Sequence, residues 1–136
     1  SPDPRIAVSG GVVLVGAEEL DRGLLLGLGP DEPFRLVEEC PRASALAIAP
    51  WEPRMLLATL FFAGKDLGTL LRSTDRGESW TRVCDIGRLG ELFGVDEVGL
   101  DDVSARVYDI SVSTAAPGQV ALATGHGVFV VEMKDL

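Results

Sequence analysis

The feature that most narrows the possible folds is an internal repeat. Residues 23–37 (GLLLGLGPDEPFRLV) lie over residues 69–83 (TLLRSTDRGESWTRV) without a gap, at an offset of 46. Leu24 and Leu25 fall on Leu70 and Leu71, Phe34 falls on Trp80, and Val37 falls on Val83. A Pro-containing turn running into a strand marks each unit: Ser1-Pro2-Asp3-Pro4, then Ala49-Pro50-Trp51-Glu52-Pro53, then Ala115-Ala116-Pro117-Gly118. A period of this length describes an array of like units, each too small to bury its own apolar faces.

Within each unit the apolar residues form short runs bounded by Gly, Pro or Asp. Strands are predicted at 6–8, 12–15, 24–26, 35–37, 45–48, 55–60, 70–72, 81–83, 107–112, 120–123 and 128–131. Some alternate with period two, as Val107, Asp109 and Ser111 do against Tyr108, Ile110 and Val112. Sixteen Gly and eight Pro supply the turns that so many strands require. One short helix is predicted, at 89–93.

Four short strands in a unit of about 45–50 residues define a β-propeller blade. The expectation is therefore an all-β chain made of β-propeller blades, each a four-stranded antiparallel sheet, in an incomplete ring. The blades are placed at 1–43 and 44–84, followed by a loop insertion at 85–106 and a partial blade at 107–136. Aligned on its Pro turns, the chain opens after the first strand of one blade and stops after the third strand of another. That makes about two and a half to three blades, against at least about four in a closed ring. With Ser1 in the place of Met, the chain reads as a piece cut from a longer protein. The missing neighbours are then the remaining blades of the parent chain, or copies of the same chain, since the unpaired strand at 128–131 invites self-association. A small β-sandwich would keep the strands but not the 46-residue register.

The second unit contains Ser73-Thr74-Asp75-Arg76-Gly77-Glu78-Ser79-Trp80. Asp75 accepts backbone N–H bonds in a tight turn, Gly77 tolerates positive φ, Ser73 bonds back across the turn, and Trp80 brings a large apolar surface between sheets. This octapeptide resembles the Asp-box (BNR) repeat, Ser/Thr-x-Asp-x-Gly-x-Ser/Thr-Trp, with Ser73, Asp75, Gly77, Ser79 and Trp80 filling its positions. The resemblance implies the sialidase and sortilin superfamily of propellers, with the box on the turn between a blade's third and fourth strands, opposite any active site. It implies a staple of the fold and no catalytic residue. In the first unit Gly29, Asp31 and Pro33 replace the box's Asp, Gly and Ser, while Phe34 keeps its apolar anchor.

Charge excludes some partners. Asp and Glu number 21 against 12 Lys and Arg, a net charge of -9, with no basic cluster to attract a nucleic acid or an anionic membrane surface. The apolar runs are shorter than the roughly 20 residues a membrane helix needs. Cys40 and Cys84 with one His are too few for a zinc site, and they read as two structural thiols. No cofactor and no metal are expected.

Ligands of propellers usually meet the loops joining strands two and three and those leading to the next blade. Here those are 17–22, 63–68 and 125–127, and 38–44 and 85–106. They offer Lys65, Asp66, His126, Arg42, Glu97 and Asp101 as possible ligand residues. The 85–106 segment is longest and acidic, but its carboxylates do not follow the alternation of an EF-hand loop. His126 has no orienting partner nearby in sequence, and Glu18, Glu19 and Asp21 read as a solvated turn. The expected function is a non-catalytic binding or assembly module presenting its loops to a protein or glycan partner. The alternative is a fragment of a sialidase- or xyloglucanase-like glycoside hydrolase. Its catalytic residues would lie mostly outside this chain, which offers only Tyr108 beside Asp109.

Overall fold

The structure, a computed structural model, describes residues 5–17, 22–51, 55–60, 69–84, 107–125 and 127–135. Eleven strands appear among them. The first sheet holds β1 (Arg5–Ser9), β2 (Val12–Gly16), β3 (Leu24–Gly27) and β4 (Arg35–Val37). The second holds β5 (Ala43–Ala49), β6 (Met55–Leu60), β7 (Leu70–Ser73) and β8 (Thr81–Cys84). The third holds β9 (Val107–Val112), β10 (Gln119–Thr124) and β11 (Gly127–Glu132), followed by a short 3-10 turn, Met133–Asp135. Each sheet is an antiparallel meander in which sequential strands are neighbours, the third running β11-β10-β9. All eleven predicted strands exist, most of them longer by a residue or two. The helix predicted at 89–93 lies outside the described residues.

These are β-propeller blades in an unclosed ring. The first strands of the sheets, β1, β5 and β9, stand side by side, and they run the same way. Ser44 at the start of β5 bonds the Val107 carbonyl at the start of β9, and Trp51 beyond β5 bonds the Ser113 carbonyl beyond β9. The hairpin turns β1–β2, β3–β4 and their counterparts therefore gather at one end of the sheets. The strand ends leading into the two–three and blade-to-blade connections gather at the other.

Two apolar seams hold the three sheets together. Between the first and second sheets pack Leu14, Leu24 and Leu26 from one side and Leu46, Ile48, Leu56 and Leu71 from the other, with Cys40 among them. Between the second and third pack Ala45, Ala47, Leu57 and Leu70 against Val107, Ile110, Val120, Leu122 and Val131, with Cys84. The second sheet is covered on both faces, so all seven residues of β5 are buried. Its strand is continuously apolar where a one-faced strand would alternate. The two cysteines are free and sit in different seams.

The second seam also carries a buried polar link. The Ser44 hydroxyl donates to the Val107 carbonyl at 2.8 Å and stands 2.9 Å from the Thr59 hydroxyl. A hydroxyl has a single proton, so Thr59 is the donor to Ser44, and both groups are satisfied in an otherwise apolar junction.

Two expectations need correction. The chain does not open in mid-blade: β1 is the first strand of a complete four-stranded sheet. The Pro-containing residues 1–4 precede β1, whereas residues 50–54 lie between β5 and β6, so the two are not equivalent. The first sheet turns instead at Gly10 and Gly11, both with positive φ (57° and 84°), two residues where five separate β5 from β6. The second correction concerns Phe34, which is no buried anchor. Trp80 and Phe34 occupy the same place on the same face of successive sheets. Trp80 packs against the seam with the first sheet, whereas Phe34 covers Gly27 and is 55% exposed.

That difference is measurable. Trp80→Ala is expected to cost about 2–3 kcal/mol, since its ring is only half-buried, and Phe34→Ala less than about 1 kcal/mol, both read from denaturant unfolding of the whole chain. Equal losses would mean that both rings are equally enclosed.

Candidate functional site

The residues singled out by the sequence fall into two groups. Ser73, Asp75, Gly77, Ser79 and Trp80 come together on the β7–β8 turn, at the hairpin end of the second sheet. Arg42 lies at the other end, on the crossing from β4 to β5, where it is half-buried with φ of 53°. Lys65, Asp66, Glu97, Asp101 and His126 lie outside the described residues.

The β7–β8 turn is built around the Asp75 carboxylate. Its Oδ1 accepts the Ser73 hydroxyl at 2.8 Å and the Ser79 backbone N–H at 2.9 Å, and its Oδ2 accepts the Ser79 hydroxyl in a very short bond. The Ser73 oxygen in turn accepts the Gly77 N–H at 2.8 Å. The Trp80 indole N–H donates to the Gly77 carbonyl at 3.2 Å, which ties the ring back over the turn. Arg76 and Gly77 both take positive φ, 61° and 85°. Donors from Ser79 and then Ser73 stabilise the charged carboxylate, and they hold the Asp75 carboxyl down at about 2. Both oxygens accept bonds from inside the turn, so the carboxylate stabilises the hairpin.

The same turn touches the neighbouring sheet. A Cβ on Gly77 would lie 2.4 Å from Leu26 Cδ2, so Leu26 of the first sheet fills the space a side chain would need. Arg35 on β4 donates to Glu78 at 3.4 Å, and Arg76 reaches the Leu28 carbonyl at 3.5 Å. The Arg35–Glu78 pair is exposed on both sides and contributes little by itself. Between this turn and the β3–β4 turn lies a cleft of about 660 Å³, with Leu26 at its apolar side and Glu32, Phe34, Arg35, Arg76 and Glu78 around it. Two cations and two carboxylates share this lining, so it selects neither sign of charge. Sequence reading missed the cleft because its walls come from two units, and no local motif joins Arg35 to Glu78.

At the opposite end, Cys40 follows β4 and is fully buried. Burial, reinforced by the charge of Glu39, pushes its thiol well above the ordinary range, so it is a poor nucleophile. On β9, Asp109 Oδ1 accepts the Ile110 N–H at 3.0 Å, next to Tyr108. Among the described residues no three His, Cys, Asp or Glu side chains stand close enough to share a metal ion. No helix there is long and apolar enough to cross a membrane.

Comparison with known proteins finds no family model that matches this chain and no matching curated protein.

Two outcomes follow from the turn. Gly77→Ala should destabilise the protein by about 1–3 kcal/mol, because it combines a strained φ with a clash against Leu26. A loss below about 0.5 kcal/mol in urea unfolding would show that the turn does not press on the first sheet. Asp75 has a folded pKa below its unfolded value, so its contribution is complete above about pH 4 and disappears as pH falls towards 2. Thermal melts of the native protein should therefore lose stability across that window more steeply than those of Asp75→Asn. Parallel curves would remove the carboxylate from the account.

Proposed function

We propose that this chain is part of an Asp-box propeller of the BNR type, and that it serves as a non-catalytic module that recognises a protein or glycan. The observation that supports this most is the division of labour between the two ends of the sheets. At the hairpin end, the polar groups of the 73–80 turn bond to one another and to the adjoining sheet, which stiffens the scaffold. From the other end leave the longest connections in the chain, 61–68 between β6 and β7 and 85–106 between β8 and β9. The 22 residues between β8 and β9, on a scaffold stiffened at the opposite end, are the usual setting of a binding loop. Arg42, held at the blade-to-blade crossing, belongs to that same end.

The experiment is a binding screen of the whole chain against a glycan array and against protein extracts, followed by removal of residues 90–98 from the longest connection. The deletion should leave the unfolding free energy within about 0.5 kcal/mol of the parent. It should weaken binding at least about tenfold, or ~1.4 kcal/mol. Loss of cooperative folding would instead make the insertion part of the fold. Steady release of the leaving group from aryl glycosides, abolished by Tyr108→Phe or Asp109→Asn, would replace this reading with the hydrolase.

A further inference from the structure

The strand ladders allow the first two sheets to be compared residue by residue. In the first, Ile6 pairs with Val15, Val8 with Val13, Val15 with Leu25, and Leu25 with Leu36, which puts all of these on one face. In the second, Leu46 pairs with Ala58, Ile48 with Leu56, and Ala58 with Leu71, again on one face. Laid over each other, Ile6 falls on Leu46, Val8 on Ile48, Val13 on Leu56, Val15 on Ala58 and Leu25 on Leu71. These positions of the second sheet are the ones that pack on the first sheet: Leu46 and Ile48 are 8% and 7% exposed. Their counterparts Ile6 and Val8 are 65% and 66% exposed. The first sheet thus carries, position for position, the face with which the second receives a neighbouring blade.

The other end of the array carries the complementary half. The face of the third sheet turned away from the second presents Ala121 and Ala123 on β10 and Val128 and Val130 on β11, the last two 69% and 54% exposed. Asp109 and Ser111 lie on this face along β9, and the hydrogen-bonded Gln119–Glu132 pair (3.0 Å) closes one end of it. On this face the first strand carries Asp109 and Ser111, the middle strand Ala121 and Ala123, and the outer strand the larger Val128 and Val130. The second sheet receives the third with Ala45, Ala47 and Ala49 on β5, Leu57 on β6 and Leu70 on β7, so on both faces the aliphatic side chains grow larger towards the outer strands. An apolar centre with polar groups at its margin is the usual make-up of a protein interface.

We infer that a second copy of this chain docks the outer face of its β9–β11 sheet on the outer face of the β1–β4 sheet, head to tail. Such a contact joins two different patches, so repeating it with the rotation between adjacent blades closes a ring. The inference rests on the sheets alone and is independent of what the loops bind.

Sedimentation equilibrium of the chain at roughly 10–100 μM, a range that covers weak and moderate association, tests it with two single-face variants, Val8→Asp and Val128→Asp. Both side chains are exposed in the isolated copy, so each variant should keep the parent circular dichroism spectrum. The parent chain should have twice the 14.4 kDa mass of one copy. Each variant alone should be monomeric, because each lacks one half of every contact. Mixed in equal amounts, the two variants should form a one-to-one dimer, since an intact face remains on each. A monomeric parent, open-ended aggregation, a variant that stays dimeric, or a mixture that remains monomeric would each overturn the head-to-tail contact. A double variant, Val8→Asp with Val128→Asp, should pair with neither.

Discussion

A sheet whose two faces are both apolar has to be covered twice, and this requirement organises the chain more than any single bond. The second sheet meets it fully: the first sheet lies on one face and the third on the other, and every residue of β5 is withdrawn from water. The first and third sheets meet it on one face only. Each is therefore stable in proportion to a single seam, with the outer face carrying aliphatic side chains against solvent at a cost of about 25 cal/mol for each Å² left uncovered. The middle sheet is the part of the molecule least dependent on anything outside the chain.

The β7–β8 turn adds a directional element to seams that are otherwise greasy and permissive. Its internal bonds fix the loop, and the absent side chain at Gly77 lets that loop settle on Leu26 of the preceding sheet. Trp80 extends the same contact along the seam. One turn thus closes its own hairpin and sets how closely two sheets approach. The corresponding turn of the first sheet, at residues 28–34, has the place but not the chemistry: Phe34 lies over Gly27 without a sheet to press against. On the other seam the polar link through Thr59, Ser44 and Val107 and the Trp51–Ser113 bond pin register at both ends.

Much of this was legible in the sequence because it is local. Strands such as 55–60 and 107–112 were readable in full from apolar runs closed by Gly, Pro and Asp, and the 46-residue register aligned Leu24 with Leu70 and Leu25 with Leu71, which do occupy matching ladder positions. What failed was also local in origin. The Pro turn at residues 1–4 imitated the one at 49–53, whereas a glycine pair folds the first hairpin over a shorter path. The exposure of Phe34 was invisible because it depends on whether a sheet stands beyond it, which no residue in its own unit records. The cleft walled by Arg35, Arg76 and Glu78 was hidden for the same reason, since its geometry arises only when two units are stacked.

Having one buried thiol in each seam places two chemical reporters inside the molecule without any engineering. Cys40 packs in the seam between the first and second sheets and Cys84 in that between the second and third, so the parting of each seam exposes its own thiol. The rates at which an alkylating reagent modifies the two thus time the opening of the two junctions separately, and their ratio tells whether the array comes apart as one body or peels from an end.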